Sequence, residues 1–249
     1  MIKYETKDEI GIITLNRPEK RNSLHPELVK QMKDRIKELE NDNSVKVLII
    51  TGEGKAFCAG ADLEYLNELR NYSSIQNEED SRELAELFLM IYKIPKPVIA
   101  AVNGAAIAGG CGLASVCDIV VADEENSKFG YSEVKIGFIP AIVSIFLVKK
   151  VGEGMARQLL LSGELIDGKR AYEIGFTNYM YNNALSGALD VASKLKMNSL
   201  LSMKMTKEMI NKVSNLSVDE AVEYCIGINT ISRTTLDFKE GLNNFLSKK

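Results

Sequence analysis

Two glycine-rich turns restrict the fold of this chain more than any other feature. They occupy residues 58–62 and 107–112, and each follows an apolar run, residues 45–51 and 97–102, that is typical of a buried strand. Each turn also leads into a stretch that favours a helix. Small residues leave backbone N–H groups open to a bound group. Two such turns can therefore jointly hold one negatively charged oxygen, which is the main-chain form of an oxyanion hole.

The strand and helix signals repeat along most of the chain. Strand, strand and helix follow one another up to about residue 180, in irregular units of about 50 residues. This pattern predicts an α/β fold, built as a spiral of repeated ββα units around parallel strands. The polar stretch 64–79 interrupts the pattern and is predicted to form a mobile lid.

No strand pattern appears from residue 185 onward, and a capping box at residues 217–220 precedes an apolar run. We therefore divide the chain into a ββα core that carries the active site, residues 1–184, and a C-terminal helical region, residues 185–249, that serves oligomerisation. Apolar residues of this region, such as Met203 and Ile210, are expected to contribute packing or subunit contact.

Composition excludes several classes of protein. The net charge of −3 disfavours a nucleic-acid partner, because phosphate binding needs a strong basic excess. No apolar run approaches the length of about 20 residues that a membrane span needs. The four cysteines form no CxxC pair, so we expect a cytoplasmic protein without disulfides. The single histidine, His25, cannot build a two-histidine metal site, and its position before Pro26 favours a surface residue near a helix N-cap.

Several short segments occur in an order and spacing that is specific only as a set. They are LNRP (15–18), NSL (22–24), KAFCAGADL (55–63), KPVIAAVNG (96–104), AGGC (108–111), CD (117–118), FGYSEVKIG (129–137) and LSG (161–163). Taken together, these segments resemble the enoyl-CoA hydratase/isomerase (crotonase) family over nearly the whole chain. The resemblance implies the ββα spiral with C-terminal helices, an acyl-CoA thioester substrate, no metal and no cofactor besides coenzyme A itself, and assembly as a homotrimer or homohexamer.

The resemblance also implies roles for individual residues. The amides of Ala61 and Gly109 would stabilise the thioester oxyanion, and Glu133 would move the proton. Coenzyme A and the acyl group would be bound by Lys20, Ala59, Gly60, Asp62, Leu63, Tyr65, Gly112 and Tyr131. Lys20 or its neighbour Arg21 would meet a phosphate of coenzyme A, although a solvated basic pair is an equal alternative.

One departure from the family leaves the reaction open. The best-known hydratases carry a second glutamate at the position of Gly112, and the two carboxylates hold the attacking water. Without it, water would be oriented by Glu133 together with a backbone group or a side chain, for which Glu64, Tyr65 and Tyr131 are the candidates. Substitution of Gly112 by glutamate should then raise hydratase activity.

Three hypotheses follow. The first is a hydratase, and segments 112–114 and 133–141 resemble a bacterial branch assigned to methylglutaconyl-CoA hydration. The second is a Δ3,Δ2-enoyl-CoA isomerase that uses one glutamate. The third is a non-catalytic scaffold that binds acyl-CoA or RNA.

Overall fold

The computed structural model describes residues 1–247, which contain ten strands and ten α-helices. The strands are β1 (Ile2–Lys7), β2 (Ile10–Leu15), β3 (Val47–Gly52), β4 (Ala56–Cys58), β5 (Val98–Val102), β6 (Ala105–Ile107), β7 (Ile119–Asp123), β8 (Lys128–Gly130), β9 (Leu165–Asp167) and β10 (Tyr179–Tyr181). The helices are α1 (Pro26–Glu40), α2 (Leu63–Leu69), α3 (Ser74–Lys93), α4 (Gly109–Val116), α5 (Ala141–Ser162), α6 (Gly168–Glu173), α7 (Ala184–Leu195), α8 (Leu200–Val213), α9 (Val218–Ser232) and α10 (Leu236–Leu246). Short 3₁₀ helices occupy Pro18–Lys20 and Glu133–Ile136.

The strands form two sheets, and the chain alternates between them. The larger sheet has the order β1-β2-β3-β5-β7-β10, and the smaller has the order β4-β6-β8-β9. Only the β1–β2 and β8–β9 pairs are antiparallel in the described chain. The successive pairs β3/β4, β5/β6 and β7/β8 each contribute one strand to the larger sheet and the next to the smaller. This alternation confirms the predicted spiral of ββα units.

The larger sheet is buried on both faces. Side chains alternate between the faces of a strand, so Ile50 of β3 joins the core beneath α1, α3 and α4, while its neighbour Ile49 joins the core beneath α7. All six residues of β3 are buried, as expected for a parallel strand covered on both sides. Helix α1 contributes Leu28 and Met32 from one face, and His25 is its N-cap, with Nδ1 accepting from the Glu27 amide at 3.2 Å.

Two features of the secondary structure were not predicted from the sequence. The segment 64–79 is mostly helical, because Ser73 caps α3 in a reciprocal capping box with Gln76 and starts the helix at Ser74. Strands β9 and β10, of three residues each, carry too little pattern to be predicted.

The C-terminal part of the described chain is helical, as predicted. Helix α7 packs on the larger sheet and shares its core. Helices α9 and α10 contain no buried residue and expose large apolar side chains, among them Val218, Val222, Phe238 and Leu242. Within residues 1–247, no helix combines the length and hydrophobicity needed to cross a membrane.

Candidate active site

The two glycine-rich turns lie in direct contact. Gly60 has a φ of 87°, and a Cβ atom placed there would lie 2.8 Å from the carbonyl oxygen of Ile107 and 3.6 Å from the amide nitrogen of Gly109. A Cβ atom on Gly110 would lie 2.0 Å from the carbonyl oxygen of Cys58. Only glycine permits the backbones to approach this closely. The structure therefore brings together the two turns that the sequence singled out.

The amide of Ala61 points away from its neighbouring strand-like segment. The Leu24 amide donates to the Gly60 carbonyl at 2.7 Å, and the Leu24 carbonyl accepts from the Asp62 amide at 2.9 Å. In this parallel pairing the residue between the two bonds, Ala61, directs its own N–H to the opposite side. Within residues 1–247 no acceptor is found for it.

The amide of Gly109 opens helix α4. The first N–H groups of a helix have no partner inside the helix, and the helix dipole places partial positive charge there. The preceding residue, Ala108, has a φ of 51°, an uncommon value for a residue with a side chain, and its amide donates to the Gly130 carbonyl at 2.8 Å. Such a conformation costs about 1–3 kcal/mol and must be held by its surroundings. The turn thus fixes an unpaired amide beside the Gly60 turn.

Glu133 is a buried carboxyl group close to these turns. Gly130 pairs with Ile107 in the β6–β8 register, so the residues after β8 leave the sheet beside the start of α4. Glu133 follows at the start of a 3₁₀ helix and is only 7% exposed. Its Oε2 atom has no hydrogen-bond partner, and burial raises the pKa of the group. A buried, uncommitted carboxyl group of raised pKa is suited to proton transfer.

Tyr131 is the second buried polar group at this position. Its hydroxyl lies beside Cys111 and Ser115 but makes no hydrogen bond of normal geometry. Burial raises the pKa of Tyr131 well above its ordinary value and that of Cys111 to about 12. Both groups are therefore neutral near pH 7, and the Tyr131 hydroxyl is available as a donor.

Gly112 faces packed side chains. A Cβ atom on Gly112 would lie 2.2 Å from Val143 Cγ1 and 3.1 Å from Phe88 Cε2. A glutamate at this position requires Val143 and Phe88 to move, which opposes the expected gain in hydratase activity from Gly112→Glu; that gain stays a prediction. The sequence could not reveal this, because Val143 and Phe88 reach Gly112 from α5 and α3.

Several residues predicted to bind coenzyme A are engaged by other side chains. Lys20 Nζ lies 2.5 Å from Glu64 Oε1, and the Tyr65 hydroxyl donates to Asp80 at 2.5 Å. Glu64 and Tyr65 therefore each have a side-chain partner. Of the three candidates for orienting water, Tyr131 is the one whose hydroxyl has no hydrogen-bond partner.

The rest of the first turn combines exposed and anchored positions. Leu63 is 77% exposed at the start of α2, and the amide of Ala59 donates to the Arg21 carbonyl at 3.0 Å. Asp62 is buried against Arg17, a contact that the sequence analysis did not predict. Charge alone gave no signal for it, because an arginine beside two other basic residues, Lys20 and Arg21, resembles a solvated patch.

Two cavities lie in other parts of the described chain. A cavity of about 690 Å³ lies between α8 and α10, but the ammonium group of Lys207 at its base is fully bonded to Asp118 and to two carbonyl groups. A second cavity of about 650 Å³ lies beside β1 and is lined by polar side chains such as Thr51 and Asn103. No group of three or more metal-ligating side chains occurs within residues 1–247.

The chain belongs to the enoyl-CoA hydratase/isomerase family, whose model it matches over residues 5–249. A relative from Thermus thermophilus is 39% identical over 251 residues, which cover 100% of this chain and 98% of the relative. The crotonyl-CoA hydratase of Syntrophomonas wolfei is 33% identical over 249 residues, covering 98% of this chain and 94% of that protein.

Solved structures agree with the sequence comparison. An enoyl-CoA hydratase from Polaromonas has a TM-score of 0.95 and 32% identity, and the match covers 100% of this chain and 97% of that one. An enoyl-CoA hydratase from Bacillus anthracis has a TM-score of 0.93 and 27% identity over 100% of this chain and 96% of that one. The predicted family and fold are both confirmed.

Proposed function

We propose that this protein is an enoyl-CoA hydratase, which adds water across the double bond of an acyl-CoA thioester. The observation that carries the proposal is the buried carboxyl group of Glu133, whose Oε2 atom has no hydrogen-bond partner, beside two contacting turns with unpaired amides. The names of similar proteins, among them crotonyl-CoA hydratase and short-chain-enoyl-CoA hydratase, support this activity.

The amides of Ala61 and Gly109 stabilise the charge that develops on the thioester oxygen. When hydroxide adds to the β-carbon, electrons move to that oxygen and an enolate forms. Two fixed N–H donors and the positive end of α4 lower the energy of this enolate without reorganisation. Loss of one such donor costs about 3–4 kcal/mol in the transition state.

Glu133 moves the proton in both steps. Its carboxylate accepts a proton from water as the water oxygen bonds to the β-carbon, and the carboxylic acid then returns that proton to the α-carbon as the enolate collapses. The sum is addition of one water molecule, with the carboxylate regenerated. Burial raises the pKa of Glu133 in the direction of neutral pH. This favours proton transfer both to the carboxylate and from the carboxylic acid.

An isomerase is the second candidate, and the closed position beside Gly112 favours it. Val143 and Phe88 leave no room there for a second carboxylate. A single glutamate can move a proton between two carbons of the acyl chain without water. The two activities share the oxyanion donors and Glu133, so they are distinguished by product.

The remaining proposals concern the substrate's carrier, assembly and location. We expect coenzyme A to be bound near Lys20 and residues 59–63 as part of the substrate, with no further cofactor and no nucleic acid. The exposed apolar side chains of α9 and α10 support a homotrimer or homohexamer, which analytical ultracentrifugation would measure. The four free cysteines, three of them buried, support a reducing cytoplasm.

A spectrophotometric assay tests the function. Loss of the conjugated absorbance of crotonyl-CoA reports hydration, and its appearance from a 3-enoyl-CoA reports isomerisation. Glu133→Gln should reduce the observed activity by about 10²–10⁴-fold. Glu124→Gln, which alters an exposed glutamate, is the matched control and should leave turnover unchanged. Turnover of neither substrate, with acyl-CoA still bound, would favour the non-catalytic scaffold.

A further inference from the structure

Asp62 has no free oxygen with which to bind a substrate. Its Oδ1 accepts from the Glu64 amide at 3.0 Å and caps α2, while its Oδ2 accepts from Arg17 Nη2 at 2.8 Å. The side chain is only 5% exposed. Burial alone would raise the pKa of Asp62, yet the hydrogen bonds from Arg17 and from the Glu64 amide hold it below its ordinary value.

Arg17 is equally committed. Its side chain is 11% exposed, and Nη1 donates to the Ser23 carbonyl at 2.9 Å. The loop that carries it is fixed by Asn22, whose Oδ1 accepts from the Arg17 amide at 2.9 Å and whose Nδ2 donates to the Ala56 carbonyl at 2.8 Å. One guanidinium group therefore joins the loop after β2 to Asp62, the last residue of the first glycine-rich turn.

This pair lies directly next to the first oxyanion donor. Ala61 precedes Asp62, and the Asp62 amide makes one of the two bonds to Leu24 that set the direction of the Ala61 amide. On the other side of Ala61, Gly60 is pressed against residues 107–109. The peptide that carries the donor is thus anchored at both ends.

A net gain in stability does not explain the pair. Removing two charges from water is expensive, and a buried ion pair is often no more stable than apolar residues of similar size. Correct placement of a catalytic donor affects turnover rather than stability, because a misplacement of about 1 Å can reduce turnover by about 10²-fold.

We propose that Arg17 and Asp62 are positioning residues that hold the Ala61 amide in line with the thioester oxygen, and that Asp62 makes no contact with substrate. This inference rests on the proposed function, since it concerns the oxyanion donor of the same site.

The double variant Arg17→Met/Asp62→Asn tests the proposal. It removes both charges together, so neither is left buried alone, and asparagine keeps the cap of α2 because it caps helices as well as aspartate does. We expect kcat to fall by about tenfold to a hundredfold, with KM changed by less than about threefold.

A second ion pair, between the buried Lys207 and the partly exposed Asp118, provides the control. Lys207 Nζ lies 2.6 Å from Asp118 Oδ2, which also accepts from the Val98 amide at 2.7 Å. This pair lies at the start of β5 and β7, away from the glycine turns. Lys207→Met/Asp118→Asn should keep kcat within about twofold, whatever its effect on the melting temperature.

Three results would overturn the proposal. An equal loss of kcat in both double variants would show a general effect of core damage. A raised KM with unchanged kcat would show that Asp62 binds substrate directly. If the double variant does not fold, Arg17→Lys is measured instead. Lysine keeps the positive charge but lacks the planar guanidinium group that donates to both Asp62 and the Ser23 carbonyl. An unchanged kcat in that variant would refute the role.

Binding of acetoacetyl-CoA separates this proposal from the proposed function. An oxyanion site shifts this thioester towards its enolate, whose absorbance is measurable without turnover. Wild type should raise the enolate signal and Arg17→Met/Asp62→Asn should lose it. Wild type that forms the enolate but hydrates nothing would refute hydration alone, whereas an equal enolate signal in both proteins would refute the positioning role alone.

Discussion

Gly112→Ala should destabilise the protein, although alanine normally strengthens a helix. The added Cβ atom would lie 2.2 Å from Val143 Cγ1, whereas carbon atoms in contact are normally about 3.5–4.0 Å apart. The same Cβ atom would lie 3.1 Å from Phe88 Cε2, which also restricts its placement. Overpacking of this kind costs up to about 3 kcal/mol, and replacing a helical glycine returns about 1 kcal/mol. The expected net loss is therefore up to about 2 kcal/mol.

Thermal unfolding measures this loss. For a chain of this size, 2 kcal/mol corresponds to a decrease in Tm of about 4–8 °C. Gly154→Ala on α5 is the matched control, because a Cβ atom there meets nothing within 4 Å, and it should leave Tm unchanged or raise it slightly. A double-mutant cycle with Val143→Ala, which removes the clashing Cγ1 atom, should show the two substitutions coupled by at least about 1 kcal/mol. Strict additivity, or a Gly112→Ala protein as stable as wild type, would refute the packing argument.

Two further predictions concern the unbonded buried groups. Because burial raises the folded-state pKa of Glu133, the native state holds its proton to higher pH than the unfolded chain. Its contribution to stability is therefore lost as pH rises from the ordinary carboxyl range through the raised value. Glu133→Gln should match wild type below that window and be more stable above it in urea titrations across pH, and parallel profiles would contradict this. Tyr131→Phe removes a hydroxyl without a partner, so Tm should stay constant or rise while hydration of crotonyl-CoA slows; a clear fall in Tm would show that the hydroxyl is a structural hydrogen-bond donor.

The sequence alone indicated the local structural features of the chain. Continuous apolar runs and the repeated strand-strand-helix pattern predicted the parallel strands, glycines marked both turns, and Ser217 with Glu220 forms the predicted capping box of α9. These features depend on residues close together in the chain, whose backbone preferences act before any tertiary contact forms. The joint spacing of the motifs was also sufficient to indicate the family. The roles of individual site residues came from that resemblance and await the experiments above.

Tertiary packing decided what each site residue touches. Arg17 and Asp62 are 45 positions apart, yet they share one buried ion pair, and Gly112 is closed by side chains from two other helices. Glu133 follows β8, which pairs with β6, and it is buried there with its Oε2 atom unbonded. A residue's charge and size are properties of the sequence, whereas its solvent exposure and bonding partners depend on which distant segments the fold brings against it.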